Sequence, residues 1–179
     1  MSEGLDTGYF RLALDKARQR DLSGAIAHAQ CALRINAEND QARKLLGLCL
    51  YELGELDDAA KALAGCDGLA ETSYAERERM AEALRQAREL CQQRKWRKAA
   101  ALLQDLPHQS VRILIMRGCI KANAGNYPAA AKLFARALEK DRGNRLAGEY
   151  LTEAARRMRL LYDLTARGSA LFVEKGPVQ

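Results

Sequence analysis

The sequence predicts an all-α chain folded as a stack of antiparallel helix pairs. Three observations carry that prediction. Alanine, leucine, arginine and glutamate dominate the 179 residues, and only three prolines interrupt them, which is a composition of helix formers. A phrase of about a dozen residues recurs four times along the chain. Within each copy the apolar positions are spaced by three and four, which puts them on one face of a helix.

The four copies are DLSGAIAHAQCAL from Asp21, ELDDAAKALAGCD from Glu55, KWRKAAALLQDLP from Lys95 and NYPAAAKLFARAL from Asn126. Each opens on a polar residue followed by a large apolar one: Leu22, Leu56, Trp96 and Tyr127. Three residues on stands an alanine: Ala25, Ala59, Ala99 and Ala130. Four further on stands another core residue: Ala29, Leu63, Leu103 and Phe134. A small or apolar residue closes the stripe at Ala32, Cys66, Leu106 and Ala137. The alanines step by 34, 40 and 31 residues. A period near 34 belongs to a unit of two helices, A and B, joined by a turn.

The A–B turns read QRDLS, LGELD, QRKWR and AGNYP. Glycine suits the end of an A helix, and Pro128 suits the start of a B helix, where its missing N–H costs nothing. On the A helices Gly47 and Gly118, with Ala13 and Ala87 in the matching slot, let the two helices of a pair approach closely. Leu12, Leu46 and Leu50 are expected to fill the core beside them.

This pattern resembles the tetratricopeptide repeat family, over roughly Asp6 to Asn144. The resemblance implies a right-handed α-solenoid of about four repeats, near 6–39, 40–73, 74–110 and 111–144. Ala37 and Arg142 stand where the family usually has a proline. The run from Arg145 to Arg167 is expected to be a capping helix over the last repeat, with Leu146, Tyr150, Ala154, Met158 and Leu161 as its inner stripe. Gly168 should end it, leaving 168–179 as a loose tail. The stretch from Gly65 to Ser73 is the widest break in the array. Ser73 with Glu76 reads as a capping box, so the third A helix should start early, near Tyr74.

Nothing in the chain reads as catalytic. His28 and His108 lie far apart with no Cys, Asp or Glu in ligand spacing, and both read as surface residues. Phosphate-binding glycine loops and nucleophile elbows are absent. Asp57 and Asp58 sit where a helix should begin, which suits its dipole. No enzyme activity, cofactor or metal is expected. The five cysteines form an odd set without a CxxC, so they read as small hydrophobes of a reduced, cytoplasmic protein. No apolar run reaches the ~18 residues of a membrane span, and the opening MSEGLD lacks a secretory pattern.

A binding module remains. In the tetratricopeptide family the A helices line a concave groove, and the resemblance implies one here from Phe10, Leu14 and Arg18, then Lys44, Leu48 and Tyr51. Leu84, Arg88 and Cys91 follow, then Arg112, Ile115 and Cys119. Apolar residues on a wet face mark an interaction site. The expected partner is a protein segment with apolar anchors and acidic flanks, held by an adaptor, scaffold or chaperone-like protein of a bacterial type. The tail, the last helix or a second copy in a homodimer are other candidates to cover that face. Trp96 shares its slot with Leu22, Leu56 and Tyr127, so it should be core. Around it lie Arg94, Lys95, Arg97 and Lys98. The net charge is +6, and this basic edge is the alternative contact for nucleic acid or an acidic partner. The shortage of surface aromatics argues against nucleic acid.

Overall fold

The computed structural model describes residues 3–64, 74–106 and 109–174, with side chains described over 4–64, 79–106 and 109–163. Cys66, the 65–73 break, the Ser73–Glu76 capping box and His108 lie outside the described residues. The described residues form nine helices and no strand: α1 (Glu3–Arg18), α2 (Leu22–Ile35), α3 (Asp40–Leu53), α4 (Leu56–Leu63), α5 (Tyr74–Gln92), α6 (Trp96–Gln104), α7 (Val111–Asn123), α8 (Tyr127–Lys140) and α9 (Arg145–Glu174). The third A helix starts at Tyr74, as the spacing predicts.

Short polar residues set the starts. Asp21, Asn39, Ser110 and Asn126 each accept a hydrogen bond from the backbone N–H three residues on. Each satisfies a donor that the first turn leaves free. Gly54 ends α3 at φ +96°, a left-handed backbone that only glycine adopts without strain.

The repeat pattern is the core. Ala25, Ala59, Ala99 and Ala130 are at most 2% exposed. Ala29, Leu63, Leu103 and Phe134 are buried one turn later. A methyl group at Gly47 would run into Leu63, and one at Gly118 into Phe134, so the helices of these pairs cross at glycine. Ala13 and Ala87 are fully buried in the same slot. Trp96 is half-buried against the cluster that contains Ala99 and Leu103.

Three readings are corrected. Leu12 is half exposed, because no described helix covers that side of α1. The inner stripe of α9 is Ala147 and Ala154, with Leu151 half-buried between them; Leu146, Tyr150 and Leu161 stand exposed. Small residues take the close crossing against α8, and the Tyr150 ring lies beside Phe134 at 5.4 Å. Finally, α9 passes through Gly168 to Glu174. One helix-interior glycine costs about 1 kcal/mol relative to alanine, too little to stop a helix whose neighbours are helix formers.

Helices stack in two runs, α1 to α4 and α5 to α9. Among the described residues α5 packs along neither α3 nor α4. The runs meet instead where α7 reaches α3, where Leu56 joins the cluster of α5, α6 and α7, and where the α8–α9 turn docks on the α1–α2 turn. One buried cluster joins Leu22 and Ala25 of α2 and Cys49 of α3 to Val111 and Leu114 of α7, Leu133 and Ala137 of α8 and Ala147 of α9. At its edge the Arg142 N–H donates to the Arg20 carbonyl at 2.7 Å, and the Arg20 guanidinium donates to the Glu139 carbonyl at 2.9 Å. Lys140 pairs with Glu52 at 2.7 Å. Repeats of a solenoid contact their neighbours; this one adds a seam between its first and last pairs.

Candidate functional site

The break between the two runs leaves a cleft of about 370 Å³. Leu56 forms its floor with Leu84 and Met116. Leu56 is buried, while Leu84 and Met116 are half-buried and pack against the same cluster. Glu55, Asp57, Asp58 and Lys61 come from the start of α4, Arg85 and Arg88 from α5, and Arg112 from α7. One wall is therefore mainly acidic and the other basic.

Most of these charges are already paired. Arg112 donates to Glu55 at 3.1 Å, across from α7 to the α3–α4 turn. Lys61 meets Asp58 at 2.9 Å, and that hydrogen bond raises the Lys61 ammonium above the ordinary lysine range. Arg85 pairs with Glu82. Arg88 is exposed and makes no ion pair or hydrogen bond among the described residues. Among the described residues it is the free cation of the cleft.

The structure divides the sequence-predicted groove among three places. Leu84, Arg88 and Arg112 meet in the cleft. Phe10 and Leu14 lie half-buried on α1, where Arg18 pairs with Asp15 at 3.6 Å. On α3 Lys44 is half-buried, Leu48 is 43% exposed, and Tyr51 packs with the cluster below the cleft. Ile115 packs against two core clusters, and Cys119 against the one holding Phe134. Burial pushes the Cys91 and Cys119 thiols above the ordinary cysteine range, so neither is an activated nucleophile.

Cys119 also opens onto a second recess, of about 460 Å³, with Tyr127, Phe134 and Tyr150. There the Arg156 and Arg157 guanidiniums hold the Glu153 carboxyl down to about 2. His28 is half-buried and stacks on Tyr9 with ring centres 6.3 Å apart, so it is less a surface residue than its sequence suggested. Arg94, Lys95, Trp96, Arg97 and Lys98 line a recess of their own with Ala124.

Sequence reasoning missed Glu55, Leu56, Asp57 and Met116 as cleft residues. One signal was available. Arg112 and Met116 are four apart on α7, as Leu84 and Arg88 are on α5, so Met116 shares the face that carries Arg112.

Paired helices crossing at small residues, repeated along the chain and closed by a last helix, define an α-solenoid repeat protein. Residues 10–67 match the tetratricopeptide repeat family model, so that part of this helical chain is similar to the family. Among solved structures it is similar to the crystal structure of the P58(IPK) TPR domain, at 13% identity and a TM-score of 0.42. That likeness covers 87% of this chain and 56% of that one, so this chain spans just over half its length. No curated protein matches it. Tetratricopeptide repeats generally mediate protein–protein interaction and are non-catalytic. No helix among the described residues is long and apolar enough to cross a membrane.

Proposed function

We propose that the chain is a non-catalytic adaptor that holds a segment of a partner protein in the cleft between α4, α5 and α7. The observation that carries this reading is the meeting of Leu84, Arg88 and Arg112 over one apolar floor, with Arg88 free of any ion pair among the described residues. Leu84 and Met116 offer apolar contact worth about 1.5–3 kcal/mol per well-buried side chain of the partner. Arg88 and Arg112 select acidic flanks and speed encounter more than they add affinity. The partner is therefore a segment with apolar anchors and acidic residues beside them. The four described cysteines are free thiols, which suits work in a reducing, cytoplasmic setting.

The test uses a labelled peptide with two leucines four residues apart, flanked by aspartates, followed by fluorescence anisotropy. The wild-type chain should bind it in the micromolar range, about −8 kcal/mol. Arg88→Glu and Arg112→Glu should each weaken binding several-fold and together by more than about tenfold. The thermal midpoint should barely change, because both side chains are exposed. Unaltered binding by the double variant would place the peptide elsewhere on the chain.

A further inference from the structure

We propose that the α5–α6 turn is a second docking surface, for an acidic segment of another protein. Arg94, Lys95, Arg97 and Lys98 are all exposed and line one recess of about 480 Å³ around Trp96. None of the four makes an ion pair or a side-chain hydrogen bond among the described residues. Among the described residues ten ion pairs tie up charge elsewhere, so four unpaired cations within five positions form a local excess that nothing described compensates. They also stand at the start of α6, where the helix dipole disfavours positive charge. Like charges this close repel one another, and a segment of carboxylates relieves that repulsion.

The turn is built to hold these side chains outward. The Arg94 N–H donates to the Cys91 carbonyl at 3.0 Å and the Lys95 N–H to the Leu90 carbonyl at 2.9 Å. Arg94 has φ +56°. Two hydrogen bonds and a left-handed residue fix the reversal. Half of Trp96 is anchored in the core cluster below, so the recess has a rigid apolar base ringed by cations. That base accepts the methylene groups of a glutamate or aspartate side chain while the ring of cations takes the carboxylates.

Acidic protein fits better than nucleic acid. Single-stranded nucleic acid is held by stacking successive bases on aromatic faces. Trp96 is the only aromatic residue of this recess, and its ring is partly committed to the core. The surface is separate from the α4–α5–α7 cleft, with which it shares no lining residue.

The chain's single tryptophan reports on this surface directly. The experiment titrates the full chain with a blocked hexaglutamate peptide at low salt and follows Trp96 emission. A saturable change in emission is expected. Arg94→Ala with Lys98→Ala should weaken binding by about tenfold with the circular dichroism spectrum and thermal midpoint unchanged. Arg88→Glu, which disables the cleft, should leave this titration alone, so the two surfaces can fail independently. No change in Trp96 emission, or equal binding by the double variant, overturns the proposal. A labelled oligothymidylate that binds more tightly than the peptide, with a steep salt dependence, also overturns it and makes the turn a nucleic-acid surface.

Discussion

The Asp141 carboxylate accepts the Leu22 backbone N–H at 3.0 Å, across 119 positions of chain. It also accepts the Ser23 hydroxyl at 3.1 Å and the Asn144 side-chain amide at 3.2 Å. Asp141 is fully buried. One helix start is thus served by two acids: Asp21 caps the Gly24 N–H locally, and Asp141 caps the Leu22 N–H from the far end of the array. Both sit at the positive end of the α2 dipole, which favours them. The Gly143 backbone passes so close to Asp21 that any side chain there would collide with it.

Asp141→Ala should therefore destabilise the protein by about 2–4 kcal/mol. It removes a helix cap and leaves the Leu22 N–H buried without a partner. Each kcal/mol lowers the midpoint of a domain this size by about 2–4 °C, so differential scanning calorimetry should record a clear fall. Asp141→Asn should cost less, because its amide oxygen still accepts from the backbone. An alanine variant as stable as the wild type would mean that the seam contributes nothing.

Glycine substitutions should separate by their neighbours. Alanine favours a helix over glycine by about 1 kcal/mol. At Gly47 and Gly118 that gain is outweighed, because the new methyl meets Leu63 and Phe134 and overpacking costs about 1–3 kcal/mol. At Gly148 nothing lies within 4 Å of the new methyl, so Gly148→Ala should stabilise by about 0.5–1 kcal/mol. Urea midpoints of the three variants check the order.

These contrasts show which features were legible in the sequence. The B-helix stripe was legible because each alanine recurs at a fixed phase, and a phase repeated four times fixes a face. The glycine slots were legible for the same reason. The α9 face was read correctly at Ala154, but Ala147 was missed because it is small, while the larger Leu146 and Leu161, expected inside, remain wet. Size alone does not report which side meets a neighbour. The seam was not legible, since Asp141 differs from any surface aspartate only in what the chain folds onto it. Leu84, Arg88 and Arg112 were among the residues that the family resemblance places on the A-helix groove, whereas Glu55 and Asp57 join them only because the stack breaks between α4 and α5.

Cys49 should give the protein a pH-dependent stability at high pH. Burial, with Asp141 and Glu52 nearby, pushes its thiol from 9.0 up to about 11. The folded state then keeps a proton that the unfolded state releases. This contribution is fully present below about pH 9 and is lost as the pH rises toward 11. One pKa unit corresponds to about 1.4 kcal/mol, so over two units the loss approaches at most about 3 kcal/mol. The difference between wild-type and Cys49→Ala urea midpoints, taken across that range, isolates it from the lysines. At neutral pH a thiol reagent should reach Cys49 only on unfolding. A pH-independent difference would show that the thiol ionises freely in the folded state.

The two runs of helices should unfold with different ease once the seam is cut. Neighbour contacts hold α1 to α4 together and α5 to α9 together, while the described contacts between the runs pass through the α3–α7 approach, the Asp141 turn and Leu56. In wild type the seam couples them, so the amides of Leu22 and Arg142 should exchange slowly with solvent. In Asp141→Ala, the hydrogen bond to the Leu22 N–H is gone, and that amide should become accessible through a local opening. Each tenfold rise in its exchange corresponds to about 1.4 kcal/mol of lost opening free energy. The Leu103 amide in the last turn of α6 reports on the second run and does not touch the seam. Under native conditions its exchange should change much less than that of Leu22. Hydrogen exchange followed by nuclear magnetic resonance reads both sites in one sample. Equal acceleration at Leu22 and Leu103 would mean that the seam opens only when the whole chain unfolds, and that the two runs are a single cooperative unit.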